Sequence, residues 1–221
     1  VAVMKEVAKK LPQYEFQFVP TSDDDLLIGV ESGKYDIGTK GAWKTPAREK
    51  KYIFPKNNIA ASVIGVTIRK EDANTIKNLD DFAKAGKKLV PIAPQNAQYQ
   101  VIEDYNAAHP DHPVKLEASE NFQVADAYTW VLEGRYDGYF SIELAYKKNV
   151  EAPDAPYKDF KNKLSYFRYK AIPTYTVINK NDKELAEQVD KALGELKQEG
   201  KIAELENKYF GEEVSKLIDV K

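Results

Sequence analysis

SGKYDIGTKGAWKTPAREKKYIFP, Ser32 to Pro55, sets a glycine, a tryptophan and a lone arginine on one turn between two strand-like runs. Just ahead of it, DDLLIGVESG reads as a short helix that ends at Gly33, and YDIGTK follows as a strand. A glycine at position 41 lets a bound molecule come close to the main chain, so that backbone N–H and C=O groups can act on it. The guanidinium of Arg48 matches the planar oxygen pair of a carboxylate and holds it with more direction than an ammonium would. Taken alone, the same two residues also fit a plain turn and a surface ion pair.

Helix and strand alternate along the rest of the chain. Met4, Val7, Ala8 and Leu11 repeat at helical spacing with no Ser, Thr, Asp or Asn ahead to cap them, so the true N-terminus is expected upstream of Val1. YEFQFVP (Tyr14–Pro20) alternates in the manner of a strand. Further strands are expected at Ser62–Arg69, Lys88–Ala93, Val114–Ser119, Tyr136–Ser141, Leu164–Tyr169 and Ile172–Asn179. Helices are expected at Asn78–Gly86, Asn96–His109, Asn121–Gly134 and Ile142–Asn149. A long amphipathic helix carries Leu185, Val189, Ala192, Leu193 and Leu196 and stops at Gly200, and a last short one runs to Gly211. VEAPDAPYKDFKNK (Val150–Lys163) reads as a surface loop. The rhythm is that of an α/β protein. SGKYDIGTKG and EGRYDGYFS echo each other, which fits either the ordinary need for glycine at a helix end or two lobes built on one plan.

A chain of 221 residues has room for one or two domains. Hydrophobic residues make up 43% and charged ones 31%, the balance of a folded soluble protein rather than a disordered or membrane-spanning one. The formal charge is only -2 and the basic residues are scattered, which argues against nucleic acid as a partner. With no cysteine, disulfides, thiolate metal sites and a cysteine nucleophile are excluded. His109 and His112 lie in AHPDHP, where prolines deny them a common helix face and no third ligand is evident. Solvated loop side chains are expected there, with no metal and no cofactor. Nucleotide and dinucleotide loops and the nucleophile elbow of hydrolases are absent. The acidic run SDDDLL fits helix capping by Ser22 or Asp23 better than a cation site.

The segment from Ser32 to Pro55 resembles the bacterial extracytoplasmic amino-acid-binding proteins of ABC importers, solute-binding protein family three. Asp36, Gly41, Pro46 and Arg48 fall in step with that family's pattern. The stretch from Asn179 to Gly211 is similar to its closing helices, and order and spacing agree along essentially the whole chain. The resemblance implies an α/β, two-lobed Venus-flytrap of the type II periplasmic-binding-protein class, with two crossing hinge strands. Lobe one would hold residues 1–58 and 177–221, lobe two residues 63–172, and the hinges would lie near 59–62 and 173–176, with the first strand of lobe one and an export signal expected upstream of Val1.

By the same resemblance the protein is a receptor that captures an amino acid or a small derivative in an interlobe cleft, shifts toward closure and docks on a membrane permease. It would act as a monomer outside the cytoplasm, in the periplasm or as a lipoprotein on the outer membrane face, without covalent chemistry. Arg48 would take the ligand carboxylate, flanked by Lys40, Gly41, Ala42, Trp43 and Asp23. In the second lobe Asn96, Ala97 and Gln98 would form a helix start that receives an anion, with Ser141 and Glu143 close by. Three positions depart from the family: Trp43 replaces a threonine, Asp23 replaces an aromatic shelf, and Ile142 replaces the Asp that binds the ammonium, with Glu143 one residue on. Asp23, Lys40 and Trp43 together point to a ligand with more than one polar end, such as cystine, a basic or polar amino acid, or a short γ-linked peptide. Two other readings use the same scaffold. An enzyme of the cyclohexadienyl dehydratase kind would need a general acid, for which Glu143 is a candidate, and a sensor module would belong to a longer signalling chain.

Overall fold

The computed structural model describes residues 1–119 and 124–218. The helices are α1 (Ala2–Lys10), α2 (Asp23–Ser32), α3 (Pro46–Glu49), α4 (Leu79–Lys84), α5 (Ala97–Ala108), α6 (Val124–Leu132), α7 (Glu143–Tyr146), α8 (Lys183–Gln198) and α9 (Lys201–Phe210). The strands are β1 (Ile37–Trp43), β2 (Tyr52–Ile53), β3 (Ala60–Arg69), β4 (Gly138–Ile142) and β5 (Leu164–Asn179). The chain divides into two compact units, Val1–Ser62 with Ala171–Lys221, and Val63–Lys170. β3 and β5 run without interruption from one unit into the other.

In the first unit, α1 turns Met4 and Val7 inward, where they meet Val189, Leu193 and Leu196 of α8 and Ile202 of α9. Such side chains contribute roughly 1.5–3 kcal/mol each when fully buried. Helix ends follow local chemistry. Ser22 caps α2, its hydroxyl accepting from the Asp25 N–H at 3.2 Å, and Asp23, Asp24 and Asp25 fill the positive first turn. Gly33 closes that helix at φ 83°, a left-handed conformation suited to glycine. β1 and β2 both pair antiparallel with the C-terminal half of β5.

In the second unit, β3 lies between β4 and β5. β3 pairs antiparallel with β4 from Ile64 opposite Ile142 to Ile68 opposite Gly138. The core under it is aromatic: Tyr128 and Tyr146 pack with Val90, Val131, Val150 and Leu164. Asp137 links the second Tyr-Asp pair to this core. It accepts from Arg69 Nη2 at 2.8 Å and from the Lys88 N–H at 2.9 Å, while Arg69 Nη1 donates to the Val131 and Tyr136 carbonyls at 2.9 Å.

Burial works to raise the Asp137 carboxyl, but its bonds from the Lys88 N–H and Arg69 and the charge of Lys87 outweigh it and hold the group below the usual carboxylate range. A lowered folded pKa gives stability that is present above the unfolded value of about 3.9 and is lost as the pH falls through the folded value. Asp137→Asn is therefore expected to cost about 2 kcal/mol at neutral pH. Urea unfolding at two pH values checks this: the gap between the two proteins should shrink as the pH drops below about 3.9.

Several expectations from sequence need correction. Tyr14–Pro20 forms no strand. Alternation makes a strand only where another edge accepts its ladder, and here Tyr14 and Phe16 pack on the helical core while Phe18 and Val19 stay exposed. The two strands expected before and after Lys170 are one strand of 16 residues, because the fixed φ of Pro173 suits extended backbone. Lys88–Ala93 and Val114–Ser119 meet only in isolated bridges, Lys88 with Lys115 and Ile92 with Ala118, since Pro91 has no N–H to continue a ladder. The helix expected over Ile142–Asn149 widens after Tyr146 into a π-helical turn, Lys147–Glu151, and the loop that follows contains a 3-10 turn at Lys158–Phe160. The first residues of the helix expected at Asn121–Gly134, 121–123, lie outside the described residues.

Candidate functional site

In the first unit the candidate residues gather where β1 leaves its regular pairing. Gly38 faces Val177 and Ala42 faces Tyr175, so four steps along β1 match two along β5 and the intervening residues bulge outward. Gly41 sits in the bulge at φ 91°, and a Cβ there would stand 3.3 Å from the Thr174 side chain. The positive φ favours glycine, and a side chain there would also crowd Thr174. Ala42 and Trp43 resume the pairing, opposite Tyr175 and Thr174.

Arg48 follows on α3, whose start is set by Thr45 and Pro46. The Thr45 hydroxyl accepts from the Arg48 N–H at 3.2 Å, and proline occupies the first helical position, where its missing N–H costs nothing. This cap was not anticipated, although the Thr-Pro pair announces it. Arg48 Nη1 donates to the Trp43 carbonyl at 2.9 Å, which ties the guanidinium to the turn that carries Gly41. Among the described residues no carboxylate lies within ion-pair distance of Arg48, whereas Arg69 is paired with Asp137 and Arg168 with Glu143. Asp23, at the start of α2, forms an ion pair with Lys40, and both side chains are more than half exposed. An exposed pair of this kind is worth roughly 0–1 kcal/mol, so either partner can exchange it for a charged ligand group.

In the second unit Asn96 caps α5, its side-chain oxygen accepting from the Gln98 N–H at 2.9 Å. The Tyr99 N–H bonds to the Asn96 carbonyl at 2.9 Å. Of the candidates at this helix start, Gln98 therefore has its N–H engaged, and the Ala97 N–H is the one left pointing out of the first turn. Ser141 is buried, with its hydroxyl unpartnered among the described residues and its carbonyl accepting from the Tyr166 hydroxyl at 2.8 Å. Burial, with the Glu143 charge second, pushes the Tyr166 phenol up and keeps it a donor.

Glu143 begins α7 and is largely covered. Its oxygens accept from Arg168 Nε at 2.9 Å and Nη2 at 2.8 Å, a forked pair that sequence reading missed. As an ammonium acceptor it would have to share its charge with that guanidinium. It also borders a cleft of about 390 Å³ lined by Tyr146, Lys147, Glu151 and Lys161.

The sequence model described as "Bacterial extracellular solute-binding proteins, family 3" matches residues 1–212. The L-cystine-binding protein TcyJ of Bacillus subtilis is 29% identical over 223 residues, covering 98% of this chain and 76% of the relative. The L-cystine-binding protein TcyA of the same organism is 29% identical over 217 residues, covering 98% and 73%. Among solved structures, the "probable amino-acid ABC transporter extracellular-binding protein ytmK" of Bacillus subtilis superposes with a TM-score of 0.73 at 24% identity, covering 95% of this chain and 86% of that one.

Proposed function

This chain belongs to family 3 of the bacterial extracellular solute-binding proteins, with their type II α/β fold, and from that premise we propose that it is the ligand-capturing receptor of an ABC importer, with L-cystine as its ligand. The observation that carries the reading is Arg48, a guanidinium without a carboxylate partner among the described residues, tied by its Nη1 to the glycine-bearing turn. L-Cystine presents two carboxylates and two ammonium groups. One carboxylate suits the fork of Arg48, an ammonium suits Asp23, and Lys40 is a donor for the remaining negative charge. Trp43 supplies apolar surface for the disulfide and its methylene arms.

The receptor works outside the cytoplasm as an exported, lipid-anchored monomer and hands its ligand to a membrane permease. Ligand bonds that form more strongly in one conformation of the receptor favour that conformation, so binding itself makes the signal that the permease reads. No bond in the ligand is made or broken. Glu143, the carboxylate that an elimination reaction would use, has both oxygens bonded to Arg168, which favours binding over catalysis.

Isothermal calorimetry of ligand-free protein against L-cystine, L-arginine, oxidised glutathione and L-leucine tests the assignment. L-Cystine is expected to bind one to one with a dissociation constant on the order of micromolar, about -8 kcal/mol. L-Leucine, with one polar end, is expected to bind at least about tenfold more weakly. A preference for L-leucine would overturn the ligand assignment.

A further inference from the structure

The two histidines of the chain do not lie as separate loop side chains. The His112 N–H bonds to the His109 carbonyl at 3.2 Å, closing a turn around Pro110 that carries both imidazoles to one side. Their ring centroids are 5.1 Å apart. Asp80, in the first turn of α4, completes the group: one ligand atom from each of Asp80, His109 and His112 lies within 4.8 Å of the others. The third ligand that spacing in sequence did not reveal is supplied by a helix about thirty positions earlier. All three residues belong to the second unit.

Each imidazole is oriented by a hydrogen bond at Nδ1. That of His109 lies 2.8 Å from the Tyr105 carbonyl, which can only accept, so Nδ1 carries the proton and Nε2 offers its lone pair. That of His112 lies 2.9 Å from an Asp111 oxygen, and its Nε2 is buried with no hydrogen-bond partner among the described residues. A carbonyl or a carboxylate behind Nδ1 is the arrangement that metal-binding histidines use to fix their ring and raise its basicity. Tyr105 serves the group twice more. Its ring stacks on His109 with centroids 4.1 Å apart, and its hydroxyl donates to Asp80 Oδ1 at 2.5 Å, which leaves Oδ2 for a cation.

We propose that Asp80, His109 and His112 bind a divalent transition-metal ion, with zinc the best match, and that the ion ties the loop after α5 to the start of α4. Two imidazoles and one carboxylate suit zinc by ligand type, and a water completes four-coordination. Ligands about 2.0–2.1 Å from zinc stand about 3.4 Å apart in a tetrahedron, so side-chain movements on the order of an ångström bring the three donors into place. The proposal is independent of the amino-acid ligand, since none of these residues belongs to that site.

Because the chain has two histidines and no cysteine, zinc uptake can be assigned by subtraction. Tag-free protein, freed of metal and amino acids, is titrated with zinc against a chromophoric chelator. One equivalent should be taken up at micromolar concentration. His112→Gln should weaken uptake at least about 100-fold, and Asp111→Asn, which removes only the group behind the ring, about tenfold. On unaltered protein, zinc should slow carbethoxylation of both histidines, and cobalt should give the intense visible absorption of a four-coordinate site. These two readings stand even if a variant fails to fold. No uptake at micromolar zinc, uptake unchanged in His112→Gln, or histidines modified equally fast with and without zinc would overturn the proposal and leave the cluster as a hydrogen-bonded loop closure.

Discussion

Replacing Gly65 by alanine is expected to destabilise the protein by about 3 kcal/mol or more, enough to remove most of the soluble product. Gly65 lies in β3 opposite Ser141, and a Cβ built there would stand 2.0 Å from the Phe167 carbonyl oxygen, 2.9 Å from its carbon and 3.0 Å from the Arg168 Cα. All three contacts are backbone, so no side chain can swing away to relieve them. β5 would have to move off β3, and interiors packed to crystal density do not yield locally without cost elsewhere. Gly134→Ala is the matching control. It has a left-handed φ of 77° and nothing within 4 Å of the new carbon, so its cost is conformational alone, roughly 1–2 kcal/mol. Chemical denaturation of the two variants separates the effects. Equal losses would mean that the close approach of β5 to Gly65 is not what excludes a side chain there.

The second large effect concerns binding rather than folding. Arg48→Ala should weaken L-cystine binding by about 100-fold or more, near 3 kcal/mol, because it removes both a charge and a forked donor. The unfolding midpoint should barely move. The side chain is only partly buried, and its one hydrogen bond among the described residues goes to the Trp43 carbonyl, which water can replace. Arg48→Lys should recover only a small part of the affinity, since an ammonium cannot bond two carboxylate oxygens in one plane. Calorimetry together with thermal unfolding reads both outcomes. An unchanged affinity in Arg48→Ala would mean that the carboxylate is held elsewhere.

What could be read from the letters divides along physical lines. Helix ends were legible because their chemistry is local. Ser22 and Asn96 cap the helices that follow them, and Gly33, Gly200 and Gly211 stand at the left-handed stops. The α/β class followed from the alternation of periods, and the family from one turn and one helix pair. Misreadings arose where a distant partner decides the result. Tyr14–Pro20 has a strand's pattern but no ladder, and Leu164–Asn179 holds together as one strand across Pro173. The Arg168–Glu143 fork spans 25 positions in sequence, and Asp80 meets His109 across 29. Neither pairing leaves a trace in local composition. The candidate site shows the same division: the glycine of the β1 bulge was visible in sequence, while the absence of a carboxylate beside Arg48 among the described residues could be seen only once the chain was folded.

The most direct measurement compares L-cystine with its dimethyl ester by calorimetry on the same ligand-free protein. The ester keeps the disulfide, both amines and nearly the same shape, and loses only the two negative charges. If a guanidinium and backbone N–H groups receive the carboxylates, L-cystine will bind with micromolar affinity and the ester will give no measurable heat. Equal binding of both, or of neither, would contradict the account of this protein as an amino-acid receptor anchored at Arg48.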